Sequence, residues 1–140
     1  MKKLVYILLV ISILIFFISL AGFFYGNRTL ETYNIYTNVN VTNGRIGFDV
    51  NGTALTFGVV GEGISSSRNI IFTNNYDFPV IVKINANGGI KSLLRFDDVV
   101  RVELGETKKI PFILTPSSND DGFYDGSITF TIKRDYRKDI

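Results

Sequence analysis

The run opened by Leu4 and closed by Tyr25 holds 22 residues and not one charge. At about 1.5 Å of rise per residue a helix of that length covers roughly 33 Å, and a bilayer core is about 30 Å thick. A helix on the surface of a small soluble domain keeps one polar face; this run has none. Residues 1–25 are therefore expected to form a transmembrane signal-anchor in contact with membrane lipid. Lys2 and Lys3 precede the run, the charge placement that holds an N-terminus in the cytoplasm. The chain then reads as a single-pass protein of the cell membrane, its C-terminal part delivered outside. Ser19-Leu20-Ala21 offers a small-residue cleavage site, so removal of the leader is the alternative. Against it, the run outlasts the usual ~7–15-residue signal core, and Gly22-Phe23-Phe24-Tyr25 extends it further.

Residues 26–140 make one domain of ordinary size. Of 15 basic and 13 acidic residues in the chain, Lys2 and Lys3 lie before the span, leaving 13 of each beyond it. A balanced exported part gives no reason to expect nucleic acid as a partner. Lys133, Arg134, Arg137 and Lys138 cluster near the C-terminus, but Asp135 and Asp139 interrupt them, which describes a solvated charged tail. Histidine and cysteine are both missing from the sequence. That excludes imidazole bases, Cys-His and Ser-His-Asp nucleophile systems, thiol redox chemistry and disulfides. With no serine placed beside a buried lysine and few acids outside turns, the chain reads as non-catalytic and without a cofactor.

Beyond residue 30 the apolar period is two, the spacing of a half-buried strand. Tyr33, Ile35, Val39 and Val41 share one face of the first stretch; Tyr36, Asn38 and Asn40 lie on the other. Asn43-Gly44 and Asn51-Gly52 suit tight hairpin turns around a strand carrying Ile46, Phe48 and Val50. Further alternating sets follow: Leu55 and Phe57; Ile70 and Phe72; Val80, Val82 and Ile84. The later sets are Leu94 and Phe96; Val100, Val102 and Leu104; Ile110, Phe112 and Leu114; Ile128, Phe130 and Ile132. Seven to nine short strands at this spacing predict an all-β fold, a single antiparallel β-sandwich. The expected layout is residues 1–25 as anchor, 26–31 as juxtamembrane linker, 32–134 as sandwich and 135–140 as charged tail.

Asp121-Gly122-Phe123-Tyr124-Asp125-Gly126 resembles the Asp-x-Gly-x-Tyr-x-Cys signature of immunoglobulin domains, with Gly126 where the cysteine stands. Thr73 to Ile84 and Val102 to Pro116 are similar to Ig-like modules of prokaryotic cell-surface proteins, the resemblance covering residues 69–134. It implies an Ig-like sandwich in which Asp121, Gly122, Tyr124 and Gly126 form a structural corner, the tyrosine hydroxyl bonding nearby backbone. A looser similarity, over residues 27–75, is to secreted biofilm-fibre subunits of the camelysin type.

Several residues invite a function. Asp120, Asp121 and Asp125 offer hard oxygen ligands for calcium, although their spacing is not that of an EF-hand and turn chemistry explains them as well. Asn27, Asn40 and Asn51 head N-x-S/T sequons. The weakly charged first strand, at Tyr36, Asn38 and Asn40, is a candidate edge for strand addition by another subunit. Tyr36 and Tyr76, if brought to one surface, would suit a sugar or protein partner. The leading expectation is a membrane-anchored extracytoplasmic Ig-like domain with a structural, adhesive or surface-complex role among other cell-envelope proteins. The alternatives are a fibre subunit, cleaved after Ala21 and self-associating through its first strand, and a carbohydrate-binding module.

Overall fold

The computed structural model describes residues 2–26, 28–42 and 54–137. The apolar run forms helix α1, Lys2–Gly26, 25 residues or roughly 37 Å at the usual rise. Val5, Ile7, Val10, Ile11, Ile13, Ile15 and Ile18 are β-branched residues, mediocre helix formers in water. In hydrocarbon the balance changes, because only a helix satisfies every backbone group of a lone spanning segment. The helix is apolar on all sides and none of it is covered by the rest of the protein. At its C-terminal end Phe23 and Phe24 meet edge to face, 6.0 Å between centroids, beside Tyr25, where an interfacial aromatic belt belongs.

The remainder is two packed sheets with eight strands among the described residues. They are β1 (Thr29–Thr42), β2 (Leu55–Gly61), β3 (Ser66–Thr73), β4 (Val80–Gly88), β5 (Leu94–Arg95), β6 (Val99–Val102), β7 (Thr107–Leu114) and β8 (Gly122–Arg134). The larger sheet runs β2-β1-β8-β4-β6 and the smaller β3-β7-β5. One 3-10 turn, Gly89–Ser92, follows β4 and seats Ile90 in the core. β8 is the spine of the large sheet, antiparallel to β1 on one side and β4 on the other. Its Ile128, Phe130 and Ile132 are buried as their alternation requires. They meet Val39 and Val41 of β1, Val82 and Ile84 of β4, and Ile110, Phe112 and Leu114 of β7 in one core. Phe112 links the sheets: it lies 5.4 Å from Phe96 and 6.0 Å, edge to face, from Phe130.

The two-sheet sandwich and the helix agree with the sequence reading; several details differ. The all-antiparallel expectation fails at β1 and β2, which run parallel, Thr37 beside Leu55 and Thr42 beside Gly61. β2 pairs β1 directly, so no strand intervenes as a meander would require. The Asn43-Gly44 and Asn51-Gly52 turns and the strand between them lie outside the described residues. β1 begins at Thr29, inside the stretch read as linker. Leu104, expected inward, falls past the end of β6 and is 58% exposed.

The expected corner is not a corner. Tyr124 and Gly126 lie inside β8, opposite Val39 and Thr37 of β1. The Tyr124 ring is half-buried against the core, and its hydroxyl has no hydrogen-bond partner among the described residues. The strand simply continues through the signature, because β1 is long enough to pair with all of it. Asp135, placed by sequence in a solvated tail, is buried. Its Oδ2 is 2.8 Å from Arg101 Nε and its Oδ1 3.1 Å from Arg137 Nε, and its backbone N–H donates to Pro79 O at 2.9 Å. A buried carboxylate needs such partners, and they stand on a neighbouring strand as well as in the tail.

A candidate binding cleft near the start of the first strand

β2 covers β1 only from Thr37 onward. Over that length the seam between the sheets is closed on this side, with Arg68 Nε of β3 donating to Thr56 O of β2 at 3.2 Å. Before Thr37 β1 has no such cover, and the inner face it shares with the core runs on into Tyr33 and Glu31. These two residues and Phe72 and Thr73 at the end of β3 wall a cleft of about 250 Å³. Asn75 and Tyr76 of the following loop close one side, and Ile132 of β8 lies within it. Ile35, Thr37, Val39 and Val41 continue the same face of β1 inward, and there Thr37 donates to Leu55 O at 2.7 Å. The cleft is thus the polar continuation of the core's own face.

Glu31 and the tyrosines form one set. Tyr33 Oη donates to Glu31 Oε2, and the Tyr76 hydroxyl faces the same carboxylate closely enough to influence its titration. The two hydroxyls, Tyr33 first and Tyr76 second, hold the Glu31 carboxyl below its ordinary range despite some desolvation. The same carboxylate raises the Tyr33 hydroxyl. Burial, then the Glu31 carboxylate, pushes Tyr76 up to about 12. All three groups therefore hold their neutral-pH charge states firmly: one carboxylate and two intact phenols.

Asn74 fixes the loop that carries Tyr76. It is buried, and its Nδ2 donates to Phe78 O at 2.9 Å, Glu103 O at 3.0 Å and Val102 O at 3.2 Å. Its Oδ1 accepts from Tyr76 N at 3.0 Å, the mark of an Asx turn. The Tyr76 ring is also stacked on Phe78, 5.4 Å apart and 21° from parallel. Arg134 lies 4.2 Å over the Phe78 ring. Tyr76 is thereby held by its backbone through Asn74 and by its ring through Phe78.

The residues singled out from sequence scatter. Asp120 Oδ2 accepts from Ser117 N at 2.7 Å and Ser117 Oγ at 2.8 Å, which makes it a turn residue. Asp125 sits in β8 opposite Asn38. No group of three or more metal-ligating acids exists among the described residues, so Asp120, Asp121 and Asp125 are not assembled for calcium. Asn38 and Asn40, expected on a free edge, are paired on both sides, to β2 and to β8; among the described residues the edge of β1 left without a partner stops at Tyr36. Asn40 is exposed, on a strand and not in a loop, while Asn27 and Asn51 lie outside the described residues. Tyr36 does not join Tyr76. Strand alternation turns it to the opposite face, and Tyr33 takes the place expected of it. Glu31 went unnoticed in the sequence, although its parity with Tyr33 and Ile35 was the available signal. Comparison with protein-family models, with characterised proteins and with solved structures finds no match to this chain.

Proposed function

We propose that this chain is a single-pass, membrane-anchored module that displays one Ig-like β-sandwich outside the cytoplasmic membrane in a non-catalytic, adhesive or complex-accessory role. One observation carries the reading. A helix long enough to span, apolar on every side, touches no part of the sandwich's core and leads into β1 after only residues 27 and 28. Such a surface is stable only when lipid covers it, and so short a connection holds the sandwich at the membrane. Lys2 and Lys3 set the cytoplasmic end. Protease added outside intact cells is expected to degrade the sandwich and spare an N-terminal tag. Degradation of the tag with the sandwich intact would refute the orientation.

A second reading, ligand binding, is favoured by the cleft, where aromatic rings and a carboxylate converge. Alanine at Tyr76 would then abolish capture of the ligand while leaving the sandwich folded. A released fibre subunit has less support, because the strand-addition edge shrinks to the part of β1 that ends at Tyr36. A mature chain beginning at Gly22 in mass spectra would restore it.

A further inference from the structure

We infer that the cleft between β1 and β3 is a binding site for a small organic ammonium ion, primary or quaternary, held by the Tyr33 and Tyr76 rings against the Glu31 carboxylate. The lining carries one charged group, Glu31, and no lysine or arginine. An anion meets repulsion there, and a neutral apolar ligand strips water from a carboxylate without replacing it. A sugar needs many hydrogen-bonding groups, yet the one carboxylate in the lining already accepts from Tyr33. A compact cation satisfies each demand. It neutralises Glu31, it lies against aromatic faces, where the quadrupole attracts it, and its methyl or methylene groups contact Phe72 and Ile132.

The bond between Tyr33 and Glu31 strengthens the case. A phenol that donates to a carboxylate is polarised by it, so the Tyr33 ring presents a more negative face than a free tyrosine. The Tyr76 ring is also preorganised: it is stacked on Phe78 and its backbone is pinned through Asn74, so binding has little left to order there. The volume of about 250 Å³ lies below the ~300–1,000 Å³ of drug-sized pockets and suits a headgroup-sized ion. The site also lies close to lipid. Glu31 follows Gly26 by five residues, at most roughly 17 Å of extended chain. The ammonium can therefore come from a lipid headgroup or from a soluble amine; the lipid source rests on the membrane-anchored reading, the site itself does not.

The test uses the full chain in an uncharged detergent, titrated with tetramethylammonium or ethanolamine against sodium at matched ionic strength. Tyrosine fluorescence reads it, since the sequence has no tryptophan. Saturable binding near a millimolar Kd is expected, weakened about tenfold or more by Glu31→Gln and by Tyr76→Ala. Tyr33→Phe keeps the ring but loses its bond to Glu31 and is expected to weaken binding by a few-fold, less than either of those variants. A response equal to that of sodium, or undiminished binding by a folded Glu31→Gln variant, overturns the proposal. If that variant unfolds by circular dichroism, saturation-transfer NMR on the native chain decides: transfer from tyrosine ring protons to tetramethylammonium supports the site, and none overturns it. Nanodiscs separate the sources. Soluble-ion affinity about tenfold lower in phosphatidylcholine than in uncharged digalactosyldiacylglycerol identifies the headgroup, and equal affinity identifies a soluble amine, both keeping the site. Failure to enter either disc removes the membrane reading and leaves the cation result standing.

Discussion

A β-carbon built on Gly126 falls 2.0 Å from the Asn87 carbonyl oxygen, and one built on its cross-strand partner Gly88 falls 2.6 Å from Gly126 Cα. The atoms in the way are backbone, so β4 and β8 would have to part. Gly88 also holds φ at 90°, a region costly for other residues. Gly126→Ala is expected to lose about 3 kcal/mol or more, read as the midpoint of chemical unfolding; a loss under 1 kcal/mol would show that the strands separate freely. Tyr124, two residues earlier, gives the opposite expectation. Its hydroxyl satisfies no partner among the described residues, so Tyr124→Phe is expected to change stability by less than about 0.5 kcal/mol. A loss above 1 kcal/mol in the same assay would reveal a corner bond. Both residues belong to one sequence signature, which marks them as special without saying why. Gly126 is required by what lies across the sheet, and Tyr124 contributes its ring.

At the level of elements, the loop after β3 and the tail after β8 are held by long-range polar contacts. Asn74 Nδ2 serves three carbonyls, two of them in the β6–β7 region. Asn74→Ala strands those acceptors and is expected to cost about 2–4 kcal/mol and to raise hydrogen exchange at Tyr76. Asp135 ties the tail to Arg101 and Arg137. Burial pushes its pKa up, but the Arg137 bonds and the two guanidinium charges outweigh this and hold it below the ordinary value. A depressed carboxylate stabilises the fold above the unfolded pKa of about 3.9. That contribution is lost as pH falls through the lower folded value. Acid unfolding is therefore expected to steepen below about pH 4. Asp135→Asn is expected to flatten it and to cost about 1–3 kcal/mol at neutral pH; an unchanged acid profile would remove Asp135 from the account. Neither device was legible beforehand. Asn74 read as one polar residue in a turn-rich run and Asp135 as one charge in a tail, and their partners lie on other strands. β1 shows the same limit: alternation gave its faces, but not that β2 would shield one half and leave Glu31 and Tyr33 to wall a cleft.

For the molecule as a whole, the helix is apolar on every side and the sandwich buries its apolar residues in its own core. Residues 26–140, released from the span, are expected to be soluble, monomeric and β-rich by circular dichroism, while the full chain requires detergent; a fragment that aggregates would mean that α1 is part of the domain's core. The sequence alone determined this division and the β character of the part beyond the helix. An uncharged run and an apolar period of two are properties of neighbouring residues, and water acts on them wherever the chain goes. Only the tertiary structure decided that β2 lies parallel to β1, that Tyr33 rather than Tyr36 meets Tyr76, that Asp135 is buried, and that Glu31 has aromatic company. Each of these depends on groups that share no segment, and only closure of the two sheets brings them within bonding distance.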